Sequence, residues 1–177
     1  DAVLRSGVVD ENSKLRGLFK RVSEDRNAYL VLTGHSLGGA TATLLGERLA
    51  SLGMPKEKFV VITFGAPAIG NSVFAEQYGD KIKLLRISNT ADPVPGSLQT
   101  FFGGYKQFGE QEKYELPTRV SNVQHDMAMY FDYSVSAYYR ERDRQISMDR
   151  LAPVPDVKRT AGKPVVALWL QSSEELD

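Results

Sequence analysis

The stretch from residue 29 to residue 45 constrains the fold of this chain more than any other. It opens with a short apolar run, residues 29–32, which is typical of a buried strand. It closes with an Ala-, Thr- and Leu-rich run, residues 40–45, which is typical of a helix. The pentapeptide Gly-His-Ser-Leu-Gly lies between them at residues 34–38, with a further glycine directly behind it. The pattern predicts a strand, a glycine-bounded turn that carries a serine, and a helix, in that order.

A Gly-x-Ser-x-Gly pentapeptide in this setting is the nucleophile elbow of α/β-hydrolases, where a sharp turn exposes a serine hydroxyl at the top of the sheet. It indicates Ser36 as the nucleophile, in strained backbone geometry, and the backbone N–H of Leu37 as an oxyanion-hole donor. We expect glycine at positions 34 and 38 because side chains there would collide with the neighbouring strand and helix. The alternative is a glycine-rich strand-to-helix turn without chemistry.

The chain contains two histidines, His35 and His125. His35 is adjacent to Ser36, and its direction off the elbow makes it a poor general base for its own neighbour. If a Ser-His-Asp mechanism operates within this chain, His125 is therefore the predicted base.

Eight acidic residues lie between Ser36 and His125, and α/β-hydrolases place the triad acid in this interval. Asp92 differs from the others because it follows the strand-like segment 81–88, at the end of the sheet where open α/β folds place their sites. Two nearby prolines fix φ and stiffen its loop. An Asx-turn ahead of proline is the alternative interpretation of Asp92, and Asp126 is the next candidate for the acid.

Four blocks of sequence, residues 34–39, 64–71, 89–95 and 125–130, together resemble the class 3 lipases, the fungal triacylglycerol lipase type. They are similar to that family's elbow, its strand-end Gly-x-Pro-x-x-Gly-Asn block, its acid loop and its histidine segment. The order and spacing agree, and the likeness extends over about residues 4–139.

The resemblance implies an α/β-hydrolase fold, with a mostly parallel central sheet flanked by helices. It also implies a Ser36, Asp92 and His125 triad that hydrolyses lipid esters at a lipid–water interface, with no cofactor and no metal. The substrate could be a triacylglycerol, a shorter-chain ester or a phospholipid, the last by a phospholipase A1-type reaction. A non-catalytic lipase-like binding module remains an alternative, as does a serine peptidase, amidase or thioesterase on the same sheet.

Relatives in this family carry several strands, an oxyanion-hole loop and usually a lid before the helix that precedes the elbow. This sequence resembles the family only from the lid position onward, so we expect the N-terminal strands and lid to be absent from it. We expect a missing N-terminal segment or a second chain to complete the fold and to supply the second oxyanion donor. Ala68 stands where many relatives carry arginine, which we expect to alter a structural contact.

Composition predicts one domain over residues 1–177, because a chain of this length that is 42% hydrophobic can bury a core. The formal net charge is zero and basic residues form no stripe, which argues against nucleic-acid binding. No apolar run approaches the ~18 residues of a membrane span. The absence of cysteine excludes disulfides and thiol catalysis, and leaves a secreted and a cytoplasmic location equally open.

The apolar pattern also predicts the order of elements. Helices are expected at 11–24, 36–52, 70–78 and 125–139, and strands at 28–33, 58–64, 81–88 and 165–170. The short, turn-rich runs at 101–105 and 113–116 suggest a small antiparallel excursion, and 141–144 suggests a solvated charged segment. In the last helix, Met127, Tyr130 and Phe131 are among the residues expected in the core.

Overall fold

The structure is a computed structural model that describes residues 14–115 and 124–151, with side chains from residue 17 onward. The chain divides into two compact units, one ending at Val135 and one beginning at Ser136. Every residue of the candidate site lies in the first unit. The single domain expected over 1–177 stays a prediction.

The described elements alternate between strands and helices up to the fourth strand. The strands are β1 (Leu30–His35), β2 (Phe59–Phe64), β3 (Leu84–Asn89) and β4 (Glu110–Tyr114). The helices are α1 (Lys14–Glu24), α2 (Leu37–Ser51), α3 (Ser72–Tyr78), α4 (Val94–Phe102) and α5 (Met127–Ser147), with a 3₁₀ turn at Lys56–Lys58.

All four strands run parallel in the order β1-β2-β3-β4. The register places His35 opposite Phe64, Phe64 opposite Ile87, and Asn89 opposite Tyr114. The carboxyl ends of the strands therefore meet at one edge of the sheet, where parallel α/β folds bind their ligands. The predicted α/β-hydrolase architecture, a mostly parallel sheet flanked by helices, is confirmed.

The core lies on the sheet face that α2 covers. Phe59 and Val61 of β2 are almost fully buried there, and Leu49 of α2 packs in the same cluster. Gly46 lets the helix approach closely, because a Cβ at that position would lie 2.8 Å from a methyl group of Val61. Burial of a Leu or Phe side chain contributes about 1.5–3 kcal/mol, so this face anchors the elbow helix against the sheet.

The region after Asp92 differs from its prediction. Residues 94–102 form helix α4, and β4 pairs parallel with β3, so the expected antiparallel excursion is wrong apart from a single bridge between Asn71 and Tyr105. Proline is compatible with the first turn of a helix, which explains why Pro95 does not prevent α4. Four of the five residues of β4 are exposed, so no apolar alternation marked it as a strand.

The last helix is longer than predicted. It continues through residues 141–144, where the Arg144 guanidinium pairs with the Glu141 carboxylate at 2.7 Å. Pairs spaced three or four residues apart stabilise a helix, so a charged segment can continue one. Tyr130 is buried as expected, whereas Met127 and Phe131 are exposed, so their predicted place in the core is wrong. The strand predicted at 165–170 lies outside the described residues.

Candidate active site

Ser36 sits at the turn between β1 and α2 with φ 56° and ψ −127°. A non-glycine residue with positive φ is strained, and such strain concentrates at functional sites. The turn is tight enough that a Cβ on Gly34 would lie 2.3 Å from the carbonyl carbon of Gly38. The predicted strand–turn–helix at the serine, and the need for glycine at position 34, are confirmed.

The requirement for glycine at position 38 is wrong. A Cβ there would meet nothing within 4 Å, whereas a Cβ on Gly39 would lie 2.7 Å from the Ala66 Cβ and 2.8 Å from the Gly34 carbonyl oxygen. Successive helical residues point about 100° apart, since 3.6 residues make a turn. Residue 39 of the elbow helix therefore faces β1 and β2, and residue 38 faces away from them.

The structure brings Ser36, His125 and Asp92 into one line of hydrogen bonds. The His125 ring lies between the other two side chains, with Nε2 2.7 Å from Ser36 Oγ and Nδ1 2.7 Å from Asp92 Oδ2. An ionised carboxylate only accepts, so Nδ1 carries the hydrogen and Nε2 presents its lone pair to the serine hydroxyl. This is the tautomer that a general base needs to activate a serine.

Both carboxylate oxygens of Asp92 have donors, and its side chain is fully buried. Oδ1 accepts from the Val94 backbone N–H at 2.9 Å, which is an Asx-turn contact ahead of α4. Oδ2 accepts from His125 and also from the Tyr130 hydroxyl at 2.5 Å. The Asx-turn and the contact with histidine are thus compatible, because each uses a different oxygen.

Tyr130 is fully buried at the start of α5 and completes the surroundings of Asp92. Its hydroxyl also accepts from the Asn89 backbone N–H at 3.3 Å. Burial and the hydrogen bond to Asp92 raise the pKa of Tyr130, so the phenol stays a donor at neutral pH. Gly65, with φ +57°, leaves room for this contact, since a Cβ there would lie 2.7 Å from Asp92 Oδ2. Helical periodicity predicted a buried Tyr130 but carried no signal for its polar contact.

Leu37 is the first residue of helix α2, so its backbone N–H has no acceptor within the helix. The helix N-terminus also carries partial positive charge, which favours an anion beside Ser36. These features are compatible with the predicted oxyanion donor. The role of Leu37 and the source of a second donor stay predictions.

The remaining candidates take no part in the line of hydrogen bonds that joins Ser36, His125 and Asp92. The ring of His35 turns to the backbone of His125, with Nε2 2.7 Å from its carbonyl oxygen, a contact that sequence reasoning missed. Asp126, the alternative acid, is exposed, and its Oδ1 accepts from the Ala128 N–H at 2.9 Å near the start of α5.

Among the described residues no three His, Asp or Glu side chains cluster as metal ligands do. None of the helices in residues 14–115 and 124–151 has the length and apolar character to cross a bilayer.

Comparison with known proteins finds lipases and a phospholipase A1 among the relatives of this chain. A family model for class 3 lipases matches residues 9–102. Lipase ZK262.3 of Caenorhabditis elegans is 38% identical over 76 residues, 42% of this chain and 22% of that protein. The secreted mono- and diacylglycerol lipase A of Penicillium cyclopium is 35% identical over 81 residues, 46% of this chain and 26% of that protein. Phospholipase A1-Igamma2 of Arabidopsis thaliana is 31% identical over 114 residues, 60% of this chain and 22% of that protein.

Solved structures show the same likeness. A lipase from Rhizopus microsporus var. chinensis superposes with a TM-score of 0.55 at 27% identity, covering 66% of this chain and 40% of that one. A triacylglycerol lipase whose catalytic centre is a serine protease triad superposes with a TM-score of 0.50 at 29% identity, covering 55% and 38%. The chain therefore spans about a quarter of the curated relatives and about two fifths of these structures.

Proposed function

The chain belongs to the class 3 lipase family, and we propose that it hydrolyses carboxylic esters of lipids with Ser36 as nucleophile. The observation that carries the proposal is the line of two 2.7 Å hydrogen bonds that joins Ser36 to His125 and His125 to Asp92. A serine, a correctly protonated imidazole and a buried carboxylate in that order are the parts of an acyl-transfer mechanism.

In the acylation step, Ser36 Oγ attacks the ester carbonyl carbon while His125 Nε2 takes the hydroxyl proton. Negative charge develops on the carbonyl oxygen, where the Leu37 N–H donates a hydrogen bond. The tetrahedral intermediate then collapses, the bond to the alcohol oxygen breaks, and His125 gives its proton to the departing alcohol. Ser36 is left esterified by the acyl group.

In the deacylation step, water replaces the alcohol. His125 takes a proton from water as its oxygen attacks the acyl carbon, and it returns that proton to Ser36 Oγ as the fatty acid leaves. Asp92 keeps Nδ1 protonated and stabilises the imidazolium in both steps. An α/β-hydrolase oxyanion hole uses a second N–H donor. We assign that donor to a segment beyond the described residues or to a second chain.

The substrate is proposed to be a glycerolipid ester. Acylglycerol lipases and phospholipases A1 both occur among the relatives, and both names denote cleavage of an acyl ester of glycerol. Exposed apolar side chains support an acyl-chain substrate, since Leu37 is 75% exposed beside Ser36, and Phe101 and Phe102 at the end of α4 are 79% and 75% exposed. Large apolar groups left in water are candidates for burial against a ligand, and a lipid–water interface would cover them.

The decisive experiment measures hydrolysis of p-nitrophenyl esters of increasing acyl length, with Ser36→Ala as the test variant. Loss of the nucleophile costs ~10⁶ in turnover in serine hydrolases. Ser72→Ala is the matched control, because Ser72 is exposed on α3. A phosphonate ester should label the parent chain and Ser72→Ala, and should leave Ser36→Ala unlabelled.

The same assay separates the competing functions. A binding module would neither turn over the esters nor react with the phosphonate. Faster cleavage of p-nitroanilides than of the matched esters would move the assignment to an amidase or peptidase. Mono-, di- and triacylglycerol compared with phospholipid in mixed micelles then distinguishes a neutral lipase from a phospholipase A1.

A further inference from the structure

Two consecutive backbone carbonyls at the predicted base are held by side chains from the sheet. The carbonyl of Gln124 accepts from Asn89 Nδ2 at 3.2 Å, and the carbonyl of His125 accepts from His35 Nε2 at 2.7 Å. His35 is the last residue of β1, and Asn89 is the last residue of β3. The turn that carries the base is therefore attached to the carboxyl edge of the sheet at two points.

The donor and the acceptor of the His35 hydrogen bond can be assigned. A carbonyl oxygen only accepts hydrogen bonds, so Nε2 of His35 carries the hydrogen. The ring also packs against the His125 ring, with centroids 4.5 Å apart, and against Tyr130, with centroids 5.6 Å apart. His35 is covalently joined to Ser36, so it links the nucleophile directly to the backbone of the base.

The proposed catalytic cycle creates a need for this link. While Ser36 carries an acyl group, its oxygen has no proton to donate to His125 Nε2, so that bond no longer holds the imidazole. The contact with Asp92 remains, but it constrains only the other side of the ring. The bond from His35 to the His125 carbonyl is outside the proton path and can persist through every step.

We propose that His35 is a positioning residue that fixes the His125 backbone and thereby keeps the imidazole in reach of Ser36 and of the attacking water. The inference rests on the proposed function, in which His125 is the base. It assigns His35 a role through a hydrogen bond to the backbone, with no proton transfer of its own. Asn89 provides the second attachment point on the adjacent carbonyl.

Two substitutions separate the hydrogen bond from the volume of the side chain. His35→Leu removes the donor, whereas His35→Gln retains an amide N–H that can reach the same carbonyl. Misplacing a catalytic group by 1 Å can cost ~10²-fold in rate. We therefore expect His35→Leu to lower kcat by roughly 10- to 100-fold with KM changed by less than about threefold, and His35→Gln to recover most of kcat.

Gln77→Leu is the control, because it removes a side-chain amide on α3 that donates to the Tyr78 hydroxyl at 3.3 Å and not to a residue of the candidate site. Urea unfolding of all variants verifies that they are folded under assay conditions. A His35→Leu kcat within about twofold of the parent chain would overturn the proposal. Equal losses in His35→Leu and His35→Gln would also overturn it, since volume and packing would then explain the effect.

An NMR measurement tests the inference without measuring ester hydrolysis. The chain has two histidines, so each His35 variant retains a single imidazole, that of His125. We expect one sharp His125 Cε1–H resonance in His35→Gln and a broadened or doubled one in His35→Leu. An unchanged resonance in His35→Leu would contradict the positioning role. Inactivity of the parent chain with this NMR result intact would overturn the proposed function, and with it the catalytic role of His35, and would leave only its hydrogen bond to the His125 backbone.

Discussion

The Tyr130 hydroxyl donates a 2.5 Å hydrogen bond to the same Asp92 oxygen that accepts from His125 Nδ1. Tyr130→Phe would leave that oxygen with one donor fewer in a buried site. Loss of a hydrogen bond to a buried charge costs about 1.5–3 kcal/mol. We expect the free energy of unfolding to fall by about this amount, and kcat to fall by about tenfold as the carboxylate loses its fixed orientation.

Tyr133→Phe is the matched control for that change. Tyr133 lies on the same helix, and its hydroxyl contacts the Glu112 carboxylate at 2.6 Å in an exposed setting. Surface changes of this kind usually stay within about 0.5 kcal/mol. Equal effects of the two substitutions on kcat would show that the bond to Asp92 has no particular role.

Asp92→Asn tests the acid. An amide could turn its N–H₂ toward His125, which would favour the wrong imidazole tautomer while preserving side-chain size. In the triad template this substitution lowers kcat by ~10⁴. Kinetics on an activated ester, with circular dichroism to verify the fold, provide the measurement. Asp126→Asn should change kcat by less than about tenfold, and the reverse ranking would transfer the acid role to Asp126.

Alanine substitution at the two glycines of the elbow pentapeptide should change the free energy of unfolding by different amounts. Gly34→Ala places a methyl group 2.3 Å from backbone atoms of Gly38, a collision that the turn can relieve only by opening. We expect it to lower the free energy of unfolding by more than about 3 kcal/mol. Gly38→Ala meets open space on a helix and should be neutral or stabilising by up to about 1 kcal/mol. Chemical unfolding of both variants distinguishes them, and equal destabilisation would contradict the geometry of the turn.

Stability should decline at alkaline pH because of buried tyrosines. Burial, followed by the nearby Asp92 charge, raises the pKa of Tyr114 to about 12 from its ordinary value of 10.0, and the pKa of Tyr130 shifts in the same direction. The folded state holds these protons more tightly than the unfolded state. The contribution of Tyr114 is therefore fully present below pH 10 and is lost as the pH rises through about 12, whereas that of Tyr130 persists to higher pH.

Urea unfolding at a series of pH values from neutral into this range measures the loss. Tyr114→Phe is the informative comparison, because the Tyr114 hydroxyl has no hydrogen-bond partner among the described residues. The variant should lose less stability than the parent chain over the same pH interval. Parallel pH curves for the two proteins would assign the alkaline loss to other groups.

Much of the described fold could be predicted from local pattern. The elbow helix was expected at 36–52 and occupies Leu37–Ser51, and the strand expected at 58–64 occupies Phe59–Phe64. The strand is a continuous apolar run, and the helix is rich in Ala and Leu and is followed by Gly53 and Pro55, so local sequence marks both segments. Strand β4 could not be predicted in the same way. It has no apolar pattern of its own, and only its pairing with β3 defines it.

The candidate site, like the fold, could be predicted from the sequence only in part. The order Ser36, Asp92, His125 and the scarcity of histidine were sufficient to nominate three residues, which the fold brings within hydrogen-bond distance. Their catalytic roles stay predictions. The contacts of Tyr130 and His35 had no sequence signal, because they join residues remote in the chain and no motif order pairs them as it pairs Ser36, Asp92 and His125.

The strained turn at Ser36 is a property of the local chain: strand, glycine, serine and helix follow one another within a few residues, and their covalent geometry is enough to expose the hydroxyl. Which glycine the turn requires, which oxygen of Asp92 faces the imidazole, and what holds the His125 backbone are settled by packing. Those outcomes depend on how α2, β2 and the start of α5 meet at one edge of the sheet. Hydrogen bonds and close contacts between segments remote in the chain exist only once that edge has formed.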